Sequence, residues 1–266
     1  MHAIARKPAE KVHSGPRTTA MPVTGGGLHV GTSGWHYRHW MDRFYPPGTP
    51  HGDFLEYYVR QFATVEINAT FYRLPAHETL VAWRDAAPDG FLFACKASRY
   101  ITHVKKLKDP ERSTARFVDA IGALGDRLGP VLFQLPPRWQ ANPDRLAGLL
   151  EALPPTLRIA VEFRDRSWFS PAVYDLLARH NAALCLYDLA GYRSPVKLTA
   201  DFAYVRLHGP GEAYRGSYDG RTLAGWARRF AAWRRQGIEV FCYFDNDEMA
   251  YAPADARRLL RMAGGG

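Results

Sequence analysis

Cysteine is scarce in this chain of 266 residues, with only Cys95, Cys185 and Cys242 present. None belongs to a CxxC pair, none has a histidine at metal-ligand spacing, and three thiols cannot build an even disulfide framework. That excludes a disulfide-stapled secreted scaffold and favours a reducing, cytoplasmic compartment. All three read as core thiols on the oily parity of apolar runs. A stretch of about 18 uninterrupted apolar residues is also missing, so no membrane partner is expected. Residues 1–27 are polar and small and lack an apolar h-region, which argues against a secretory signal and for a flexible tail. The closing glycines are expected to fray.

Acids are the minority charge. Against 35 Lys and Arg stand 26 Asp and Glu, a net charge of +9 that suits anionic partners, nucleic acid among them. Much of the excess falls in the tail (Arg6, Lys7, Lys11, Arg17) and in helix-like segments around Arg228, Arg234 and Arg257, where it reads as a solvated face. No GxGxxG follows any apolar run, so a dinucleotide turn is not indicated.

What the chain does have is eight short apolar runs: LHVGTSGW, TVEIN, FLFACKAS, VLFQLPP, RIAVEFR, ALCLYD, AYVRLHG and EVFCYFDN. Side chains alternate faces along a strand, and one parity here is oily while the other carries ionisable groups. Between the runs lie segments of helical spacing. Leu146, Leu149, Leu150 and Leu153 form one apolar stripe, and Asp109, Asn142 and Ser170 each precede a proline as candidate caps. Repeated strand and helix units force parallel pairing with right-handed crossovers. Eight of them predict an α/β fold, a TIM-type (β/α)8 barrel spanning residues 28–263 as one domain. After the sixth strand LAGYRSPVKLTADF holds no helical period, so the barrel is expected to be irregular there.

In such a barrel the site forms at the C-terminal ends of the strands, above an interior filled by packing residues. Gly31, Ala94, Leu132, Ala160, Leu184, Tyr204 and Phe241 supply that interior. Above them the same parity brings together Glu66, Lys96, Gln134, Glu162, Arg164, Asp188, Arg206, His208 and Asp245. Glu66 and Glu162 read as an acid/base pair across the mouth, roughly 6 to 10 Å apart as in an inverting glycosidase. The same charges can instead close the top of the core as a ring of salt bridges. Lys96 can serve as a Schiff-base nucleophile if desolvated, but the neighbouring acids favour a charged, anion-binding amine. Glu66, Glu162, His208 and Asp245 can hold a hard divalent metal, although inward histidines are few and no cofactor is required. Gly209, Gly211 and Gly216 with Tyr214, Arg215 and Tyr218 form a candidate phosphate grip after the seventh run. The aromatic segments SGWHYRHW and NATFYRLP can stack on a base or a sugar.

The segments GTSGWHYRHW, FYPPG, TVEINATFYRLP, FLFACKASRYITHVKKLKDP, LGPVLFQLPPRW, AVEFRDRSWF, YVRLHGP and YFDND, in this order across residues 28–262, resemble the YecE-like family, a domain of unknown function. The resemblance implies a TIM-type barrel. It points to Glu66, Asn68, Tyr72, Lys96, Arg99, Gln134, Glu162, Arg164, Trp168, Arg206, His208 and Asn246 as site residues. Where the family pattern reads FNND this chain has FDND, which favours Asn246 over Asp245. Likeness of the family's barrel to the apurinic endonuclease and xylose isomerase superfamily implies a nucleic-acid or sugar-phosphate role, an analogy of fold. The expected function is chemistry on a small phosphorylated or otherwise anionic substrate. Lys96, Arg99, Arg164 and Arg206 would hold the anion, Glu66 or Glu162 would act as acid and base, and His208 would carry a second proton. The rival expectations are a non-catalytic nucleic-acid binder and a metal-dependent hydrolase.

Overall fold

A computed structural model describes residues 26–264. The tail expected over residues 1–27 lies outside the described residues except for Gly26 and Gly27, and these already run beside the last strand. The Gly26 N–H donates to the Arg234 carbonyl at 2.9 Å, and the Val240 N–H donates to the Gly27 carbonyl at 2.9 Å.

Nine strands form one sheet: β1 (Leu28–Thr32), β2 (Thr64–Ile67), β3 (Leu92–Lys96), β4 (Leu128–Gln134), β5 (Ile159–Glu162), β6 (Ala183–Leu189), β7 (Tyr192–Arg193), β8 (Phe202–Leu207) and β9 (Glu239–Phe244). Their order is β1-β9-β8-β6-β5-β4-β3-β2, all parallel, with β7 folded back antiparallel on β6. The result is an α/β TIM-type barrel whose eight parallel strands are the eight apolar runs. Its helices are α1 (Phe54–Val59), α2 (Ala69–Tyr72), α3 (His77–Ala86), α4 (Pro110–Ile121), α5 (Pro143–Ala152), α6 (Pro171–Arg179), α7 (Gly220–Arg234) and α8 (Tyr251–Met262). All but the single turn α2 fall on segments of helical spacing. The irregularity after β6 is the β7 hairpin, with no helix before β8. No described helix is long and apolar enough to cross a membrane.

Of the expected caps, Asn142 accepts the Arg145 N–H at 3.0 Å. Asp109, at φ 48°, and Ser170 make no side-chain cap bond. Asp219 caps α7 instead, accepting the Thr222 N–H at 2.6 Å.

The barrel closes at a seam between β1 and β2, where strand pairing is reduced to one bridge, Ser33 with Glu66. The Tyr58 hydroxyl fills the gap below it. It accepts the Thr32 N–H at 2.9 Å and donates to the Thr64 carbonyl at 3.1 Å. Gly31 permits the approach, because a Cβ there would lie 2.2 Å from the Thr64 carbonyl oxygen.

Two apolar layers sandwich the strands. Val65, Phe93, Val131, Val161 and Val205 face the helices, each contributing about 1.5–3 kcal/mol by leaving water. Ala94, Leu132, Ala160, Cys185, Tyr204 and Phe241 fill the barrel. The register pairs Cys185 with Tyr204 and Tyr187 with Arg206, so these residues share the inner face of β6 and β8. Leu184 therefore belongs to the outer layer, and Cys185 lines the interior, the reverse of the expectation from sequence. At the lower end Glu239 meets His29 at 2.6 Å and Arg158 at 2.7 Å. The His29 bond, against partial burial and with Arg158 helping, holds the Glu239 carboxyl at about 2.

Candidate active site

Arg206, at the top of β8, is completely buried, and such a cation is tolerable only if its donors are matched. They are. Nη1 donates to Glu162 Oε2 at 2.9 Å, Nη2 to Glu66 Oε1 at 2.8 Å and to Asp245 Oδ2 at 3.1 Å, and Nε to Glu66 Oε1 at 3.1 Å. Glu66 also accepts the Ser33 hydroxyl at 2.5 Å and the Tyr204 hydroxyl at 2.6 Å. Glu162 accepts from Arg164 Nε and, weakly, from the Cys185 thiol at 3.7 Å. Burial alone would raise the Glu162 pKa, but Arg164 and Arg206 outweigh it and hold the carboxyl well below the usual range. A general acid or base needs a free lone pair and a pKa near the working pH. The pair expected from sequence thus comes together on one guanidinium, with its oxygens engaged as acceptors and both side chains fully buried.

Asp245 is part of this network, whereas Asn246, favoured by the family pattern, is not. The Asn246 amide donates to the Gly216 carbonyl at 2.7 Å and to Asp255 at 3.0 Å, pinning the loop after β8 to α8. His208 Nδ1 lies 2.9 Å from Asp245 Oδ2, and its Nε2 faces Arg164 Nη2 at 3.1 Å and Arg206 Nη1 at 3.4 Å. Guanidinium groups only donate, so Nε2 is assigned as the acceptor and the ring proton sits on Nδ1, toward Asp245. In this arrangement His208 is a buried link between cations and acid.

Lys96 differs from all of these. Its side chain enters the same mouth, its Nζ lies 4.3 Å from the centre of the Phe71 ring, and it makes no ion pair or hydrogen bond among the described residues. It is 6% exposed, and its Nζ is not among the fully enclosed polar atoms that lack partners. Burial, reinforced by Arg206 and partly offset by Glu66, Asp245 and Glu162, brings the ammonium down to about 8.

The remaining candidates divide. Asn68, following β2, has a buried Oδ1 with no partner. Gln134 and Arg164 line a cavity of about 570 Å³ over the β4 to β6 side of the mouth, together with Arg166, Tyr187, Tyr192 and Tyr214. The Arg164 guanidinium stacks 4.8 Å from the Tyr187 ring. Tyr72 and Arg99 are exposed, and Tyr72 lies in a separate groove between α3 and α4. Asp188 points to the outer face of β6 and accepts Arg193 Nε at 2.8 Å, so it is not part of the cluster. Trp168 is a core residue, stacked 4.8 Å from Phe163 with its indole N–H on the Trp139 carbonyl at 2.7 Å.

Of the glycines expected to grip a phosphate after β8, Gly209 is committed within the loop. Gly209, at φ 116°, spends its N–H on the Tyr218 hydroxyl at 2.9 Å, and a Cβ there would meet the Arg215 carbonyl at 2.4 Å. Tight loop packing is what requires this glycine. Glu66, Glu162 and Asp245 converge on Arg206 in place of a metal. Among the described residues, no three or more His, Cys, Asp or Glu side chains are placed to hold an ion. Sequence reasoning missed Ser33 and Tyr204 as partners of Glu66. Both share its inward parity, and a buried phenol needs an acceptor, which was the available signal.

The protein-family model described as "Protein of unknown function DUF72" matches residues 29–266. UPF0759 protein YunF of Bacillus subtilis (strain 168) is 26% identical over 268 residues, covering 88% of this chain and 94% of that protein. UPF0759 protein YecE of Escherichia coli (strain K12) is 33% identical over 119 residues, 44% of this chain and 43% of that one. A DUF72 family protein of known structure from Thermotoga maritima has a TM-score of 0.82 at 28% identity, covering 90% of this chain and 99% of the other. One from Enterococcus faecalis scores 0.75 at 18% identity, covering 89% and 95%, a likeness of fold. With a match that spans the whole barrel and relatives that carry the YecE name, this chain belongs to the DUF72, YecE-like family.

Proposed function

We propose that this barrel is an enzyme that binds a small anionic substrate, such as a sugar phosphate, at its C-terminal mouth. Arg164 and its neighbours in the cavity hold the anion, and Lys96 moves the proton. The observation that carries this reading is the unpartnered amine of Lys96, set beside acids that are all matched to other cations. A purely structural network would pair it. The acid/base work therefore passes from Glu66 and Glu162, whose oxygens are occupied, to the one mouth group brought near neutrality. Glu66, Glu162, Asp245 and His208 then act as the frame that fixes Arg206 and Arg164. The orphaned Asn68 Oδ1 supports a ligand that brings its own donor. Three free, buried cysteines agree with a reducing cytoplasm.

Thermal-shift titration with inorganic phosphate and a panel of phosphorylated sugars tests this. At a concentration 100 times Kd a ligand stabilises by about 2.7 kcal/mol, a shift easily read. Arg164→Met should abolish the response, and a panel with no shift, or a shift that survives Arg164→Met, would refute the anion site.

A second reading has its own observation. The groove between α3 and α4, about 1310 Å³, is lined by Arg73, Arg112 and Arg116, with no acid among its lining residues. Tyr72 and Tyr100 are 76% and 49% exposed along it. Cations interleaved with exposed rings suit single-stranded nucleic acid. Anisotropy of a labelled oligonucleotide should show binding that weakens steeply with salt and is lost when the three arginines become alanine. Absence of binding at low salt would end this reading.

A further inference from the structure

We infer that Lys96 is a carbonyl-trapping amine, and that the substrate is an aldehyde or ketone which also carries a phosphate or carboxylate. This rests on the anionic-substrate reading of the same mouth and goes beyond it by naming a covalent step.

Three observations converge on the amine. Its Nζ lies 4.3 Å from the centre of the Phe71 ring, a cation–π contact that supplies none of the hydrogen bonds an ammonium makes in water. The charge of Arg206, a buried cation of the same barrel interior, disfavours a second positive charge there. The carboxylates that could relieve it, Glu66, Glu162 and Asp245, are bonded to Arg206, and none comes within ion-pair distance of Lys96. A lysine meant to hold a phosphate by charge gains nothing from this setting, whereas a nucleophilic lysine is activated by desolvation and by a neighbouring cation. Placement adds to the case. Lys96 ends β3, paired in register with Leu132 on the inner face, so the amine is carried by a barrel strand and not by a loop. With its affinity for protons at about 8, roughly one amine in ten is free at pH 7, against about one in three thousand for an ordinary lysine.

The step balances without an oxidant or reductant. The Nζ lone pair forms a bond to the carbonyl carbon, the C=O π pair moves to oxygen, and the proton lost from nitrogen goes to that oxygen. The carbinolamine then loses its hydroxyl with one more proton as water, leaving a C=N bond to Lys96. With a proton taken from solvent the imine is a cation, standing where the ammonium stood. Its pull on electrons weakens the bonds next to the former carbonyl. Arg164, held by Glu162 and Tyr187, is the group placed to grip the anionic end.

Reductive trapping tests the inference. The full chain is incubated at pH 7 with glycolaldehyde phosphate and cyanoborohydride, then digested and mapped by mass spectrometry. The expected result is a saturable secondary-amine adduct on Lys96, formed at least about tenfold faster than on the surface residues Lys105, Lys106 and Lys108 and slowed by inorganic phosphate. Lys96→Met should lose that adduct alone, with labelling of the other lysines unchanged and melting temperature not lowered. Surface lysines labelled while Lys96 is not, or Lys96 labelled only at their rate, would overturn it. A phosphate-induced thermal shift without a Lys96 adduct overturns the imine and leaves the anion site standing. Absence of both removes the two together.

Discussion

Replacing Lys96 by Met should make the protein more stable at neutral pH, and the size of the gain follows from the site. The ammonium is brought from its ordinary 10.5 to about 8 by burial and by Arg206. At about 1.4 kcal/mol per tenfold change in proton affinity, keeping it charged in the fold costs about 3 kcal/mol at pH 7. Lys96 is only 6% exposed, so solvent screening reduces this little. The folded pKa lies below the unfolded one, hence the unfolded chain binds more protons between about 8 and 10.5, and wild-type stability rises with pH across that window. Methionine has a similar length, packs on Phe71 and carries no charge. The variant should therefore gain up to about 3 kcal/mol over wild type at pH 7, and the difference should fall toward zero near pH 10.5. Urea unfolding followed by the fluorescence of the seven tryptophans, at pH 7 and again near pH 10, measures both ends. A loss of stability at pH 7, with no narrowing at high pH, would show that Lys96 is a structural ion-pair partner and would refute the reasoning.

Arg206→Met should be among the most damaging single changes in the barrel, because it strands three buried carboxylates. A cost of about 3–5 kcal/mol is expected, read as a drop in the urea midpoint. Gly31→Ala forces a Cβ against the Thr64 carbonyl and should cost about 1–3 kcal/mol while opening the seam. Hydrogen exchange should then quicken at the Thr32 and Gly34 amides, whose partners are Tyr58 and Glu66.

Side-chain alternation was enough to find eight strands and to place Glu66, Lys96, Glu162, Arg206 and Asp245 on one face. It succeeded where one parity was charged and the other apolar. It failed in β6, where ALCLYD is apolar on both parities and periodicity cannot say which side faces in. Alternation therefore puts Leu184 and Asp188 inside and Cys185 outside, each the wrong way round. Trp168 and Asn246 are legible as family features, but their work is packing and loop anchoring, which a sequence pattern cannot separate from chemistry. What was least legible is who partners whom. Arg206 rather than Lys96 neutralises Glu66, because its planar fork reaches several acceptors at once. That choice leaves the lysine alone.

The seam also bears on how the chain is made. His29 and Glu239, which meet across β1 and β9, stand 210 positions apart. While synthesis proceeds from the N-terminus, β1 can reach only β2, and there a single bridge and a tyrosine hydroxyl offer little hold. Its full ladder waits for β9, the last of the barrel strands to be made. Until then β1 is an open edge, the part of a nascent barrel most exposed to mispairing.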